Sequence, residues 1–578
     1  MPEGEDRSGA TPPTPGSNSP DPWRMVALWG VLLLPYLGIR GVYWRNTPVL
    51  EDHDSVTYLL RIPLFRELDL GGIVGMSPDA TPFLPMLGAL FTLPGLDPET
   101  AVRVASLASS SVLLAVVLIF AARLGSFQAA VAAGAMLTLS PALVPVSYAV
   151  LTEASYIATV FLGVLLLWLH RDRPTPWRGV LLGVIFALAF LNRLEGLLFL
   201  AMVPALQWIH WLGVRVQRGS DPLPGTRDLV TWTACFVLTF GLLSAPQVWR
   251  VSHEMGGFAL NGRQAWAALL LPDGPASNEE RIYGLDYSAS AINLEHVWRS
   301  PETRASLSAG LEPTETVKHA LFNLDDVNRR FLAEMAGPIV LALFGLGVGA
   351  LVARRRYYDL LFIAIFLATV LAAPLLQSII ALRHVLVMAP MLYVVAGVGL
   401  GHLAGMLPQR GGLQPPGWAL LTGVLALLAL SWFVPLFQAY NRLPNLEYDP
   451  ASLEGPRRAL LEDHDGLGEA PVLVARKHYL AWKADAVPLE LPFTDLGGLT
   501  EFLQERQADY VFLEYHQLRE RPFIADFQSD PPPPGFRLLH RGETTRGERL
   551  ELYRFLPEAL AAGNASHFVD GENTEGER

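Results

Sequence analysis

Leu191-Asn192-Arg193-Leu194-Glu195-Gly196-Leu197 interrupts an apolar run, residues 179–212, that is too long for one ordinary membrane span. A helix needs about 20 apolar residues to cross ~30 Å of hydrocarbon. An arginine and a glutamate at mid-bilayer are costly, and a glycine weakens a helix interior. The run therefore reads as two short helices joined by a polar turn at one membrane face.

That reading sets the topology of the rest. Arginine clusters lie at Arg123, at Arg171, Arg173 and Arg178, at Arg215, Arg218 and Arg227, at Arg354, Arg355 and Arg356, and at Arg410. With a hairpin over 179–212 all of them fall on one side; with a single span the last three clusters change sides. Arginine-rich short loops mark the cytoplasmic face, so the hairpin is preferred. The opposite, extracytoplasmic face then carries the Arg193–Glu195 turn, the loops 44–100 and 250–336, and everything beyond residue 440.

The chain has 578 residues, 51% of them hydrophobic and 17% charged, and its mean hydropathy is +0.31. Further spans are expected at 23–43, 101–122, 127–146, 150–169, 229–249, 337–353, 357–376, 383–406 and 417–437. The fold class is mainly α, a polytopic transmembrane helical bundle of about 11 spans. Residues 1–22 read as a disordered cytoplasmic tail, and 561–578 as a disordered C-terminal one. Residues 440–560 change character: 472–474, 510–513, 536–540 and 550–555 read as strands and 499–507 as a helix, giving a small extracytoplasmic α/β domain. The net charge of −12 argues against nucleic acid as a partner. The single Cys235 excludes an intrachain disulfide and a cysteine-rich metal site.

The first extracytoplasmic loop opens on Glu51-Asp52-His53-Asp54-Ser55-Val56-Thr57-Tyr58. Residues 59–70 read as an amphipathic surface helix, and Phe83–Leu93 as a partly embedded one behind the turn at Pro78–Pro82. If a helix starts near Asp54, Asp54 and Tyr58 share a face. A carboxylate there can take a proton from a nucleophile or ligate a divalent metal; a solvated loop is the plain alternative. Glu153 begins a span on the same face. Arg193 with Glu195 can bind substrate or simply lock the turn as an ion pair. Arg383-His384 begins another span, where a guanidinium can fork onto a phosphate or snorkel to the interface. No P-loop, Gly-x-Gly-x-x-Gly, His-Glu-x-x-His or nucleophile elbow occurs, which argues against an ATP-driven pump and a zincin-type protease.

Five segments, in order, resemble the GT-C membrane glycosyltransferases. They are similar above all to the bacterial branch (glycosyltransferase family 39) related to protein O-mannosyltransferases and the lipid A aminoarabinose transferase. The segments are Asp54-Ser55-Val56-Thr57-Tyr58, Thr81-Pro82-Phe83-Leu84-Pro85, Leu151-Thr152-Glu153-Ala154, Asn192-Arg193-Leu194-Glu195-Gly196, and Arg383-His384-Val385-Leu386. Ser55 stands where many members carry a second acid, and Leu194 where many carry proline. The resemblance covers most of 23–437. It implies a multi-pass protein of a bacterial plasma (inner) membrane that takes a sugar from a polyprenyl-phosphate donor to a lipid, glycan or protein acceptor. In that scheme Asp54 is the base of an inverting displacement, Glu153 positions the acceptor or a metal, and Arg383 steadies the lipid phosphate, with Tyr58, Arg193, Glu195 and His384 as further binding residues. No cofactor is certain, and a divalent metal on Asp54 and Glu153 is compatible. A flippase of a lipid-linked saccharide and a non-catalytic relative are the competing readings.

Overall fold

The computed structural model describes residues 21–46, 53–74, 81–218, 225–254, 258–260, 313–376, 382–407, 416–442, 450–465, 468–476, 478–492, 494–515, 522–544 and 547–559. The expected tails, Glu51, Asp52 and most of loop 250–336 lie outside them. So do the side chains of His53 and Asp54.

In chain order the helices are α1 (Pro22–Asn46), α2 (His53–Leu59), α3 (Ile62–Arg66), α4 (Leu70–Val74), α5 (Phe83–Thr92), α6 (Pro98–Leu124), α7 (Phe127–Leu139), α8 (Leu143–Val146), α9 (Glu153–His170), α10 (Pro176–Asn192), α11 (Phe199–Arg218) and α12 (Thr226–Glu254). Within the second part of the expected loop 250–336 lie α13 (Pro313–Asp326) and α14 (Leu332–Met335), and after it come α15 (Gly337–Ala353), α16 (Tyr357–Leu376), α17 (Leu382–Val385), α18 (Ala389–Met406), α19 (Pro416–Arg442) and α20 (Pro450–His464). Among the described residues eight helices are long and apolar enough to cross a membrane, or up to nine with one bent pair. The shorter apolar helices α7 and α10 stand at two more of the expected spans.

Two expectations need correction. The surface helix over 59–70 is broken: α2 ends at Leu59, α3 covers Ile62–Arg66, and Leu68 turns the chain at φ 54°. The span over 127–146 stops at Leu139, because Pro141 cannot continue a helix, and α8 follows as a single turn.

Polar contacts tie the helix ends into two layers. At one end Trp168 Nε1 donates to Asp359 at 2.8 Å, Arg356 Nε to the same carboxylate at 2.5 Å, and Gln207 Nε2 to the Arg171 carbonyl at 2.6 Å. Arg356 also donates to the Leu124 carbonyl. The C-terminal parts of α6, α9 and α11 thus meet the start of α16, where Arg171, Arg173, Arg178 and Arg354–Arg356 cluster. At the other end Asn192 Nδ2, on the last residue of α10, reaches Ser155 Oγ in the first turn of α9 at 2.7 Å. The chain therefore turns back at Arg193, and α10 and α11 are the two arms of the expected hairpin.

The α18 helix is the buried axis of the bundle, with 94% of its apolar window inside the protein. Lipid offers no hydrophobic driving force between helices, so close packing must hold them. A Cβ on Gly399 would lie 2.2 Å from the Leu343 carbonyl oxygen of α15, and one on Gly397 2.5 Å from the Ala129 oxygen of α7.

The C-terminal strands are β1 (Val472–Ala475), β2 (Val487–Glu490), β3 (Tyr510–Glu514), β4 (Phe536–Glu543) and β5 (Arg549–Phe555), in the order β2-β1-β3-β5-β4. The pairs β1–β2 and β1–β3 are parallel and the other two antiparallel. Helices α21 (Tyr479–Lys483) and α22 (Leu496–Glu505) flank the sheet. The expected helix and four strands are present; β2, carrying Pro488 beside Val487 and Leu489, was not anticipated. An apolar cluster joins Tyr479 and Leu480 to Val56, Tyr58, Leu59 and Val150, so this domain clamps the first loop.

Glu551 is fully buried in β5. It accepts from Tyr515, from Tyr553 at 2.5 Å, from Arg541, and from Arg549 at 2.5 Å. Burial alone would raise its carboxyl, but these donors outweigh burial and hold it below the usual glutamate range. A depressed acid adds stability above its unfolded pKa and loses it as pH falls through the folded value. Amide exchange in β5 should therefore accelerate once pH drops below about 4. Glu551→Gln should abolish that acid dependence and cost about 2 kcal/mol at neutral pH. In the bundle, Gly399→Val should cost about 3 kcal/mol by overpacking, read as a lower thermal midpoint in detergent.

Candidate active site

The hairpin turn, the start of α9 and the start of the α17–α18 segment meet at one cavity. Glu153, Tyr156, Arg193, Glu195, Arg383 and His384 line it, with Ile157, Val370 and Val387 as apolar wall. Its free volume of about 10 Å³ admits no more than one water. The polar side chains fill it themselves.

The local sequence dictates this geometry. Helix α10 ends where Arg193 takes an extended conformation, φ −151° and ψ 141°. A 3₁₀ turn, Leu194–Leu198, follows and folds back on α10. A Cβ on Gly196 would lie 2.3 Å from the Phe190 backbone nitrogen, so the turn requires glycine there. Arg193 thus leaves the helix with its side chain across the cavity.

The guanidinium holds two carboxylates. Nη1 meets Glu153 Oε1 at 2.7 Å, and Nη2 meets Glu195 Oε1 at 3.0 Å. Nε adds a long contact to Glu195 Oε2 at 3.4 Å, completing a fork. The Tyr156 ring stands 5.8 Å away. Glu153 is 3% exposed. Its Oε2 finds no hydrogen-bond partner among the described residues, so it is open to an incoming hydroxyl or cation.

Sequence reasoning named Glu153, Arg193, Glu195, Arg383 and His384, and the structure brings all five together. Tyr58 is elsewhere. It is buried in the apolar cluster beneath the C-terminal domain, and its neighbour there, Val150, lies three residues before Glu153. Asp54 lies in the first turn of α2. Ser55 lies inside α2 and is fully buried. Among the described residues no group of three or more His, Cys, Asp or Glu side chains is placed to hold a metal.

Asn192 was missed as a site residue. It is fully buried and ties α10 to the first turn of α9, through Ser155 Oγ at 2.7 Å and the Thr152 carbonyl at 3.4 Å. It therefore fixes the spacing between Glu153 and Arg193. The signal was available: an amide at the end of an apolar run must find a partner.

No protein-family model and no curated protein matches the sequence. Solved structures do match in fold. The oligosaccharyltransferase of Archaeoglobus fulgidus in its apo form has a TM-score of 0.55 at 12% identity, over 90% of this chain and 73% of that one. ArnT from Cupriavidus metallidurans in the apo state has a TM-score of 0.53 at 12% identity, over 92% and 98%. The same ArnT bound to undecaprenyl phosphate gives 0.50 at 12% identity, over 91% and 98%. The chain therefore has the GT-C fold, a helical membrane bundle with a small C-terminal domain.

Replacing Arg193 strands two buried carboxylates. Arg193→Met should cost about 4 kcal/mol, and Arg193→Lys about half as much, since an ammonium cannot fork. Thermal unfolding in detergent reads both. Equal stability of all three proteins would mean that the pair does not hold the turn.

Proposed function

We propose that the chain is a membrane glycosyltransferase that passes a sugar from a polyprenyl-phosphate donor to an acceptor on the face away from the arginine clusters. The convergence of Glu153, Arg193, Glu195, Arg383 and His384 on one cavity carries this reading, because they come from three separate segments of the chain. The fold shared with an oligosaccharyltransferase and with ArnT supports the reaction class. The undecaprenyl phosphate bound in one ArnT structure supports a lipid-phosphate donor.

In the proposed reaction the acceptor hydroxyl attacks the anomeric carbon as the bond to the lipid phosphate breaks. Asp54, at the start of α2, takes the hydroxyl proton. Glu153 Oε2 orients the acceptor. Arg383, with His384, receives the charge that develops on the departing phosphate, and a fixed cation there lowers the barrier. The attack comes from the side opposite the leaving group, so the anomeric centre inverts. A divalent cation held by Asp54 and Glu153 would add Lewis-acid assistance to the acceptor oxygen. The arginine-rich end faces the cytoplasm of a bacterial plasma membrane by the positive-inside rule.

The test is transfer by the full chain in a bilayer supplied with a panel of polyprenyl-phosphate sugars. Arg383→Ala and Asp54→Asn are each expected to lower transfer by about 10²-fold or more without loss of folded protein. Undiminished transfer by Asp54→Asn overturns the base assignment. If the unaltered chain turns over no lipid-linked sugar but moves one across the bilayer, the flippase reading replaces this one.

A further inference from the structure

We propose that α13 is an interfacial helix seated on the lipid surface at the cavity end of the bundle. The inference needs only the membrane reading and is independent of the reaction. The segment Ala320–Met335 meets Gly337–Ala353 at 100°. The corner is Gly337, at φ +66°, a left-handed conformation that glycine adopts freely. Helix α15 has 17 residues, all apolar, covers about 25 Å and ends at the arginine cluster, so the segment that meets it at a right angle runs along the membrane plane at the opposite end. An independent contact fixes the same level. Asn323 Nδ2 donates to the Leu375 carbonyl at 2.9 Å, and Leu375 is at the end of α16 remote from Arg354–Arg356.

The outer surface of α13 is two-sided. Val317, Leu321 and Leu324 are 58%, 59% and 43% exposed, and spacings of four and three residues put them in one row. At about 3.6 residues per turn, Lys318 and Asp325 lie across the helix from the Asn323 contact, the row lies on one flank with Leu321 next to Asp325, and Phe322, 68% exposed, lies on the other flank. Arg329 and Arg330, exposed on the following turn, pair with Asp325 at 2.7 Å and Glu334 at 3.5 Å. A helix packed inward by Asn323, apolar at its flank and charged on top, fits the boundary between headgroups and acyl chains. The row then enters the acyl region and the charged residues stand at headgroup level.

The test places one fluorophore at a time in the full chain carrying Cys235→Ser, with one chain per nanodisc of phosphatidylcholine and phosphatidylglycerol. Labels go on Leu321→Cys, Val317→Cys and Asp325→Cys. Labels at 321 and 317 are expected to be quenched several-fold more by doxyl lipid than by aqueous iodide, with the reverse at 325. Equal access of iodide to all three, without lipid quenching, would show a helix standing in water and overturn the proposal. Protection of 321 and 317 from both quenchers would show that protein covers the row, and would overturn it equally.

Discussion

One guanidinium organises this protein. Arg193 sits where two apolar runs meet, and its charge is tolerable there only because Glu153 and Glu195 are already in place. Burying three ionised groups costs several kcal/mol each unless every one is paired. That constraint fixes much else: the break of the helix at Arg193, the glycine at 196 that lets the turn fold back on α10, and the amide of Asn192 that holds α9 at the matching distance. The same turn reverses the chain, which is why the arginine clusters gather at one end of the bundle and the cavity forms at the other.

The second constraint is the close approach of helices without a hydrophobic drive. Helix α18 is buried along nearly its whole length, and glycines at 397 and 399 let the backbones of α7 and α15 approach it. Its leading segment carries Arg383 and His384 to the cavity. Packing at glycine and charge at the helix start are therefore two parts of one device: the first fixes the helix axis, and the second uses its end.

Much of this was legible in the sequence, for physical reasons. Apolar runs of membrane-spanning length are a strong signal, and the arginine asymmetry turned the Arg193–Glu195 stretch from an anomaly into a turn. The five cavity residues were legible because charges are expensive beside a bilayer and each needed an explanation. The losses have causes as well. The break after Leu139 follows from Ser140-Pro141, a local signal that hydropathy does not carry. Strand β2 is short and contains Pro488, so its periodicity is weak. Asn192 carries no charge to mark it beside Arg193 and Glu195, although a buried amide constrains geometry as firmly as a buried charge. Tyr58 shows the limit of spacing arguments. It stands four residues after Asp54 on α2, yet it meets the apolar clamp of the C-terminal domain and not the cavity.

The charges of the cavity carry the argument one step further. In the cavity lining two carboxylates, Glu153 and Glu195, stand against two guanidiniums, Arg193 and Arg383. A lipid phosphate brings excess negative charge into that balance. In the proposed reaction it can enter at low cost only if a carboxylate moves off a guanidinium. The free volume, room for one water at most, makes the same demand, since a sugar phosphate cannot fit beside the side chains as they stand. In the proposed reaction, therefore, donor binding and rearrangement of the Arg193 network are one event. The ion pairs that stabilise the site are, in that reaction, the ones the donor must displace.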